Sequence, residues 1–174
     1  MGRLTDLAPA GMVPAAWGLT LAAHAAVVSD RTLLVGLVVM DVLLVAFAVA
    51  STGQMTGPVL PAWRQVLLAG LLANLLGTAD LLVDPATNPA LPVTLYAWML
   101  LPGVAYVRTG RETTASPYRE VYLLAAALTL AGAAVYSVAF VGIAGESGLL
   151  FSGVVVLGIG QTAGIVAAAV QNSG

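Results

Sequence analysis

The sequence predicts an all-α, polytopic membrane bundle of six helices with both termini cytoplasmic. Three observations predict it. Only 8% of the 174 residues are charged while 60% are hydrophobic, with a mean hydropathy of +0.99; soluble chains run near 25% charged. Six continuous apolar runs approach the roughly 20 residues that an α-helix needs to cross a bilayer core. The arginines are also biased to one set of alternating loops.

The runs are Met12–Val28, Leu33–Ala50, Val66–Val83, Leu91–Val107, Val121–Ala144 and Leu149–Val170. Their backbones must satisfy their own hydrogen bonds in lipid, so each is a helix or a barrel strand. Unbroken apolarity without period-2 alternation selects helices. Punctuation separates them. Ser29-Asp30-Arg31-Thr32 divides the first two, and Ser51 to Arg64 holds Gly53, Gly57, Pro58 and Pro61. Asp84-Pro85-Ala86-Thr87-Asn88-Pro89 is a turn cluster. Arg108 to Arg119 is the most polar stretch, and Gly142 to Gly148 holds Glu146. Pro14 falls in a first helical turn, so Pro102 is the interior exception. The whole chain, 1–174, reads as one integral-membrane domain. Ala23-His24-Ala25 mimics a signal-peptide cleavage site, but a second apolar run follows at once, which favours a first transmembrane helix.

With six spans, Arg3, Arg64, Arg108, Arg111 and Arg119 share one side, and Arg31, preceded by Asp30, lies on the other. The arginine-rich side is expected to be cytoplasmic.

Composition narrows function. There is no Cys, hence no disulfide, thiol redox chemistry or iron–sulfur ligation. All six basic residues are Arg, so no Lys is present to form a retinal Schiff base. The single His24 makes neither a bis-His haem site nor an HExxH zinc site. Gly77-Thr78-Ala79-Asp80 is not the GxGD context of an intramembrane aspartyl protease, and no Gly-rich phosphate loop exists. No enzyme activity and no cofactor are expected. Without a basic stripe, nucleic acid is not a partner. Absent Lys with abundant Ala, Gly, Val and Leu fits a GC-rich prokaryotic genome.

Small residues are the expected packing surfaces. Gly18, Ala22 and Ala26 make a stripe on the first span, and Gly160 and Gly164 a GxxxG on the sixth. Ala131-Gly132-Ala133-Ala134 lies mid-fifth, and Gly70, Asn74 and Gly77/Thr78 share a face of the third. Trp63-Arg64-Gln65-Val66 matches Tyr118-Arg119-Glu120-Val121 at an offset of 55, and the match continues through Leu68/Leu123, Leu75/Leu130 and Gly77/Gly132. Two readings fit: a duplicated hairpin, or an aromatic-plus-Arg interfacial anchor used twice.

Polar residues at bilayer depth are functional candidates by default, because insertion of one costs about 2.5–3.5 kcal/mol. Asp41 is central in the second span, with Asn74, Thr129 and Gln161 at similar depth on the third, fifth and sixth. These four are expected to form one central polar layer, either as a pathway or as a structural tie. His24 and Asp80 lie nearer the outer face as candidate outer polar groups, with His24 either a partner for Asp80 or simply an interfacial residue. Trp17, Trp63, Tyr96, Trp98 and Tyr106 read as belt or packing aromatics.

Two functions compete. One is a small-solute or ion transporter or channel of the cell membrane with Asp41 in its path. The other is a non-catalytic membrane subunit, a substrate-capture or scaffold protein, that packs on a partner. In size, span number and the Ala22-x-x-x-Ala26 spacing, the chain resembles the substrate-capture subunits of energy-coupling-factor transporters. The expected surroundings are the lipid bilayer and a homo-oligomeric copy or another membrane subunit.

Overall fold

The computed structural model describes the backbone of residues 2–50, 60–142 and 147–173, with side chains for 10–50, 60–142 and 148–171. Six helices are present: α1 (Gly2–His24), α2 (Asp30–Ala50), α3 (Leu60–Val83), α4 (Leu91–Glu112), α5 (Tyr118–Phe140) and α6 (Ser147–Ser173). The predicted turn residues Gly53, Gly57, Pro58 and Glu146, and the side chain of Arg3, lie outside the described residues.

Most helices extend beyond the apolar runs that announced them. α3 starts six residues before Val66 and α4 ends five after Val107, because backbone hydrogen bonding continues into polar residues that hydropathy discounts. Two helices end early. α1 stops at His24 rather than Val28, where Ala26 turns at φ 54°. Ser29 Oγ then accepts the Thr32 amide and caps α2. α5 stops at Phe140 rather than Ala144 because Gly142, at φ 76°, takes the left-handed conformation that ends helices. Between α3 and α4, Asp84 accepts the Thr87 hydroxyl and amide. Chiefly the hydroxyl bond holds this exposed carboxyl below its usual range.

In space the order is α2, α3, α4, α5, α6, α1, and α1 returns to touch α2 where Gly36 lies against Leu19. α3 to α6 run antiparallel in succession, since Gly70 meets Trp98 and Gly77 Thr94, Gly103 meets Leu130 and Gly110 Leu123, and Gly132 meets Leu157 and Gly160 Ala125, so Arg64, Arg108, Arg111 and Arg119 all fall at one end of the bundle. Two apolar clusters fill it. Trp17, Met99, Ala133, Tyr136, Val154 and Leu157 form one, and Tyr106, Tyr122, Ala125, Ala126 and Ala167 form the other, nearer the arginines.

Glycines set the closest approaches. A Cβ on Gly132 would lie 2.5 Å from Leu157 N and 2.6 Å from Gly153 O. Gly160 lies against Ala125 O and Thr129 N of α5, and Gly164 against the Tyr106 ring of α4, so the GxxxG packs within the chain. Two members of the first-span stripe do not pack, and Ala22 is partly buried. Gly18 is exposed with nothing near it, and Ala26 lies beyond the helix. α1 instead turns Val13, Trp17 and Leu21 inward, with Trp17 fitted against Gly158. The 55-residue offset has a spatial counterpart. Gly77 faces α4, and its match Gly132 faces α6.

Among the described residues, α2, α3, α5 and Gly148–Gln171 of α6 are long and apolar enough to cross a membrane. The outer surface agrees. Leu72, Val83, Leu124 and Ile159 are among many large apolar side chains left exposed, as helices facing lipid leave them.

Candidate functional site

Asp41 is the ionisable side chain buried at mid-helix on α2, 8% exposed. Its face is set by α3, where Asn74 and Thr78 are four residues apart and therefore stacked on one side. Asn74 Nδ2 donates to Asp41 Oδ1 at 2.8 Å and to the Leu37 carbonyl at 3.0 Å. Thr78 Oγ1 donates to Asp41 Oδ2 at 2.7 Å. Each carboxylate oxygen thus has a donor from α3, in a low-dielectric setting where such bonds are strongest. Thr94 Oγ1 continues the line by donating to Ala73 O at 2.6 Å, tying α4 to α3.

The expected four-residue layer is split. Asn74 joins Asp41, but Gln161 and Thr129 do not, because α6 and α5 lie across α4 from α2. Gln161 has its own set of partners. Trp17 Nε1 donates to Gln161 Oε1 at 3.1 Å, Gln161 Nε2 donates to Trp98 O at 2.9 Å, and Tyr106 O–H donates to the Gln161 carbonyl at 2.9 Å. One glutamine thereby joins α1, α4 and α6. Thr129 is fully buried beside Gly103 and Gly160, and its hydroxyl has no hydrogen-bond partner.

His24 and Asp80 are not partners. His24 Nδ1 lies 2.9 Å from Thr20 O, a pure acceptor, so this nitrogen carries the proton. In the neutral ring Nε2 then accepts from Tyr136 O–H at 2.9 Å. Asp80 Oδ2 accepts the amides of Ala90 and Leu91 at 2.7 and 3.2 Å. It caps α4 from the neighbouring helix, with a negative charge at the positive end of the helix dipole.

Thr78 is the cluster member missing from the expected layer; its i,i+4 relation to Asn74 was the available signal. The donors Trp17 and Tyr106 had no such signal, since they approach Gln161 from other helices. Trp17 and Tyr106 are buried packing aromatics.

Among the described residues, the surface hollows include two on α4. An apolar groove of about 550 Å³ runs between α3 and α4, past Ala69, Val93, Tyr96 and Leu100. One of about 430 Å³ lies at the arginine-bearing end of α4. Neither is lined by Asp41, Asn74, Thr129 or Gln161. Among the described residues, no group of three or more His, Cys, Asp or Glu side chains is placed to hold a metal. Comparison with known protein families, with characterised proteins and with solved structures finds no match to this chain.

Proposed function

We propose that the chain is a six-span protein of the cell membrane, both termini cytoplasmic, serving as a non-catalytic subunit that packs on a partner through α2. One observation carries the partner reading. On α2 all six valines, Val35, Val38, Val39, Val42, Val45 and Val49, are exposed, while all five leucines, Leu33, Leu34, Leu37, Leu43 and Leu44, are partly or fully buried. Valine holds about 90% one χ1 rotamer in a helix. It therefore loses little freedom when another helix packs on it, and in lipid such packing rather than hydrophobic transfer drives association. Val35, Val38, Val42, Val45 and Val49 alternate spacings of three and four, the geometry of a helix–helix seam.

Photo-reactive residues at Val35, Val42 and Val49 should each yield the same membrane-protein adduct in native membranes, and one at Leu124 on α5 should not. Lipid adducts alone at all four positions would end the partner reading. Orientation has its own check. Reporter fusions after Gly174 and within Asp84–Pro89 should report opposite sides, the former cytoplasmic; a shared location would rule out six spans.

A transport reading draws on Asp41 as an ionisable group at depth. It is weakened because neither hollow described above is lined by Asp41, and the isosteric variant below tests it.

A further inference from the structure

We propose that the hollow at the arginine-bearing end of α4 seats the phosphate headgroup of an anionic phospholipid. It is lined by Val104, Val107, Arg108, Arg111 and Glu112. These residues recur at three- and four-residue spacings, so they share one face of α4. Val104 and Val107 lie about a turn further into the bundle and offer an apolar floor. Arg108 and Arg111 rim the polar end. Glu112 accepts from Arg108 Nε at 2.9 Å, which orients that guanidinium along the helix. A planar guanidinium is suited to phosphate oxygens, and its stem lies against apolar surface.

The charge of the bundle ends matches this ligand. Among the described side chains, Arg64, Arg108, Arg111 and Arg119 accompany Glu112 and Glu120 at one end, a net +2, and Asp30, Asp80 and Asp84 accompany Arg31 at the other, a net −2. An anionic headgroup is therefore drawn to one end and repelled by the other. A free phosphate ion would use the arginines alone. A phospholipid also covers Val104, which is 63% exposed. The inference rests on the membrane reading above and is independent of the partner reading.

The test is native mass spectrometry of the protein released from nanodiscs of phosphatidylcholine with added phosphatidylglycerol. Phosphatidylglycerol should be retained in preference to phosphatidylcholine. Arg111→Gln should weaken that retention about fivefold, the value of one basic residue at an anionic surface. Arg119→Gln, at the same end but outside the hollow, should leave it within about twofold, and circular dichroism checks that both variants keep their helices. Inorganic phosphate should not compete. Equal retention of the two lipids, equal loss in both variants, or competition by inorganic phosphate would overturn the assignment. Failure of the membrane reading looks different, as no insertion into either kind of disc.

Discussion

Gly132→Ala should lower the stability of the bundle by about 1–3 kcal/mol, and Gly132→Leu should prevent its assembly. The added carbon at Gly132 meets backbone, Leu157 N at 2.5 Å and Gly153 O at 2.6 Å, rather than a side chain that could rotate away. The contact is reciprocal. A Cβ on Gly153 would lie 2.7 Å from Tyr136 N and 2.8 Å from Gly132 O. Only separation of α5 from α6 relieves either clash, and that separation opens both apolar clusters, which share these two helices. Gly164→Ala also meets an obstacle, because the Tyr106 ring is held by the bond of its hydroxyl to Gln161 O. Gly18→Ala meets nothing and, by helix propensity alone, should not destabilise. Thermal unfolding in mild detergent should therefore rank Gly132 lowest, Gly164 between, and Gly18 at or above the parent. Equal behaviour of the Gly132 and Gly18 variants would refute the α5–α6 contact.

Asp41→Leu should release α2 from α3, and Asp41→Asn should not. Leucine leaves Asn74 Nδ2 with only the Leu37 carbonyl and Thr78 Oγ1 without its acceptor, at about 1–3 kcal/mol for each donor left unmade. α2 has little else to hold it, with Asp41 and Leu44 its only buried residues. The asparagine keeps both bonds. Its oxygen accepts from Asn74 as before, and its nitrogen donates to Thr78 Oγ1, since a hydroxyl can serve as donor or acceptor. Cysteine cross-links between α2 and α3 should form in the Asn variant and fail in the Leu variant. In proteoliposomes the Asn variant should behave as the parent does. A proton or cation flux seen in the parent and lost in Asp41→Asn would establish transport through Asp41 and displace the structural reading.

Both predictions concern contacts between helices, and there the sequence was least informative. The helices themselves were legible, because apolarity and turn residues are properties of a chain segment. Gly142 shows the resolution of that reading: the fifth apolar run and the turn stretch that follows it overlapped at this glycine, and the structure gives it to the turn. The i,i+4 face of Gly70, Asn74 and Thr78 was legible from helical period. The actual partners of His24 and Asp80 were not, because nothing local indicates that α1 turns His24 towards Tyr136 of α5 or that Asp80 reaches over to cap α4.

The sequence by itself determined an all-helical chain with six helices, the position of each polar side chain along its helix, and the gathering of Arg64, Arg108, Arg111 and Arg119 at one end. These follow from rise per residue, hydropathy and the alternation of antiparallel segments. Only the tertiary structure decided which polar side chains meet. Asp41, Asn74, Thr129 and Gln161 all lie near the middle of their helices, yet α2–α3 adjacency gives Asn74 and Thr78 to Asp41, while α1 and α4 give Trp17 and Tyr106 to Gln161. Depth is measured along a helix axis and can be counted from its ends. Neighbour order and rotation depend on which surfaces interlock, and between apolar helices that is settled by van der Waals fit at positions such as Gly132, Gly153 and Gly160, which no single segment specifies alone.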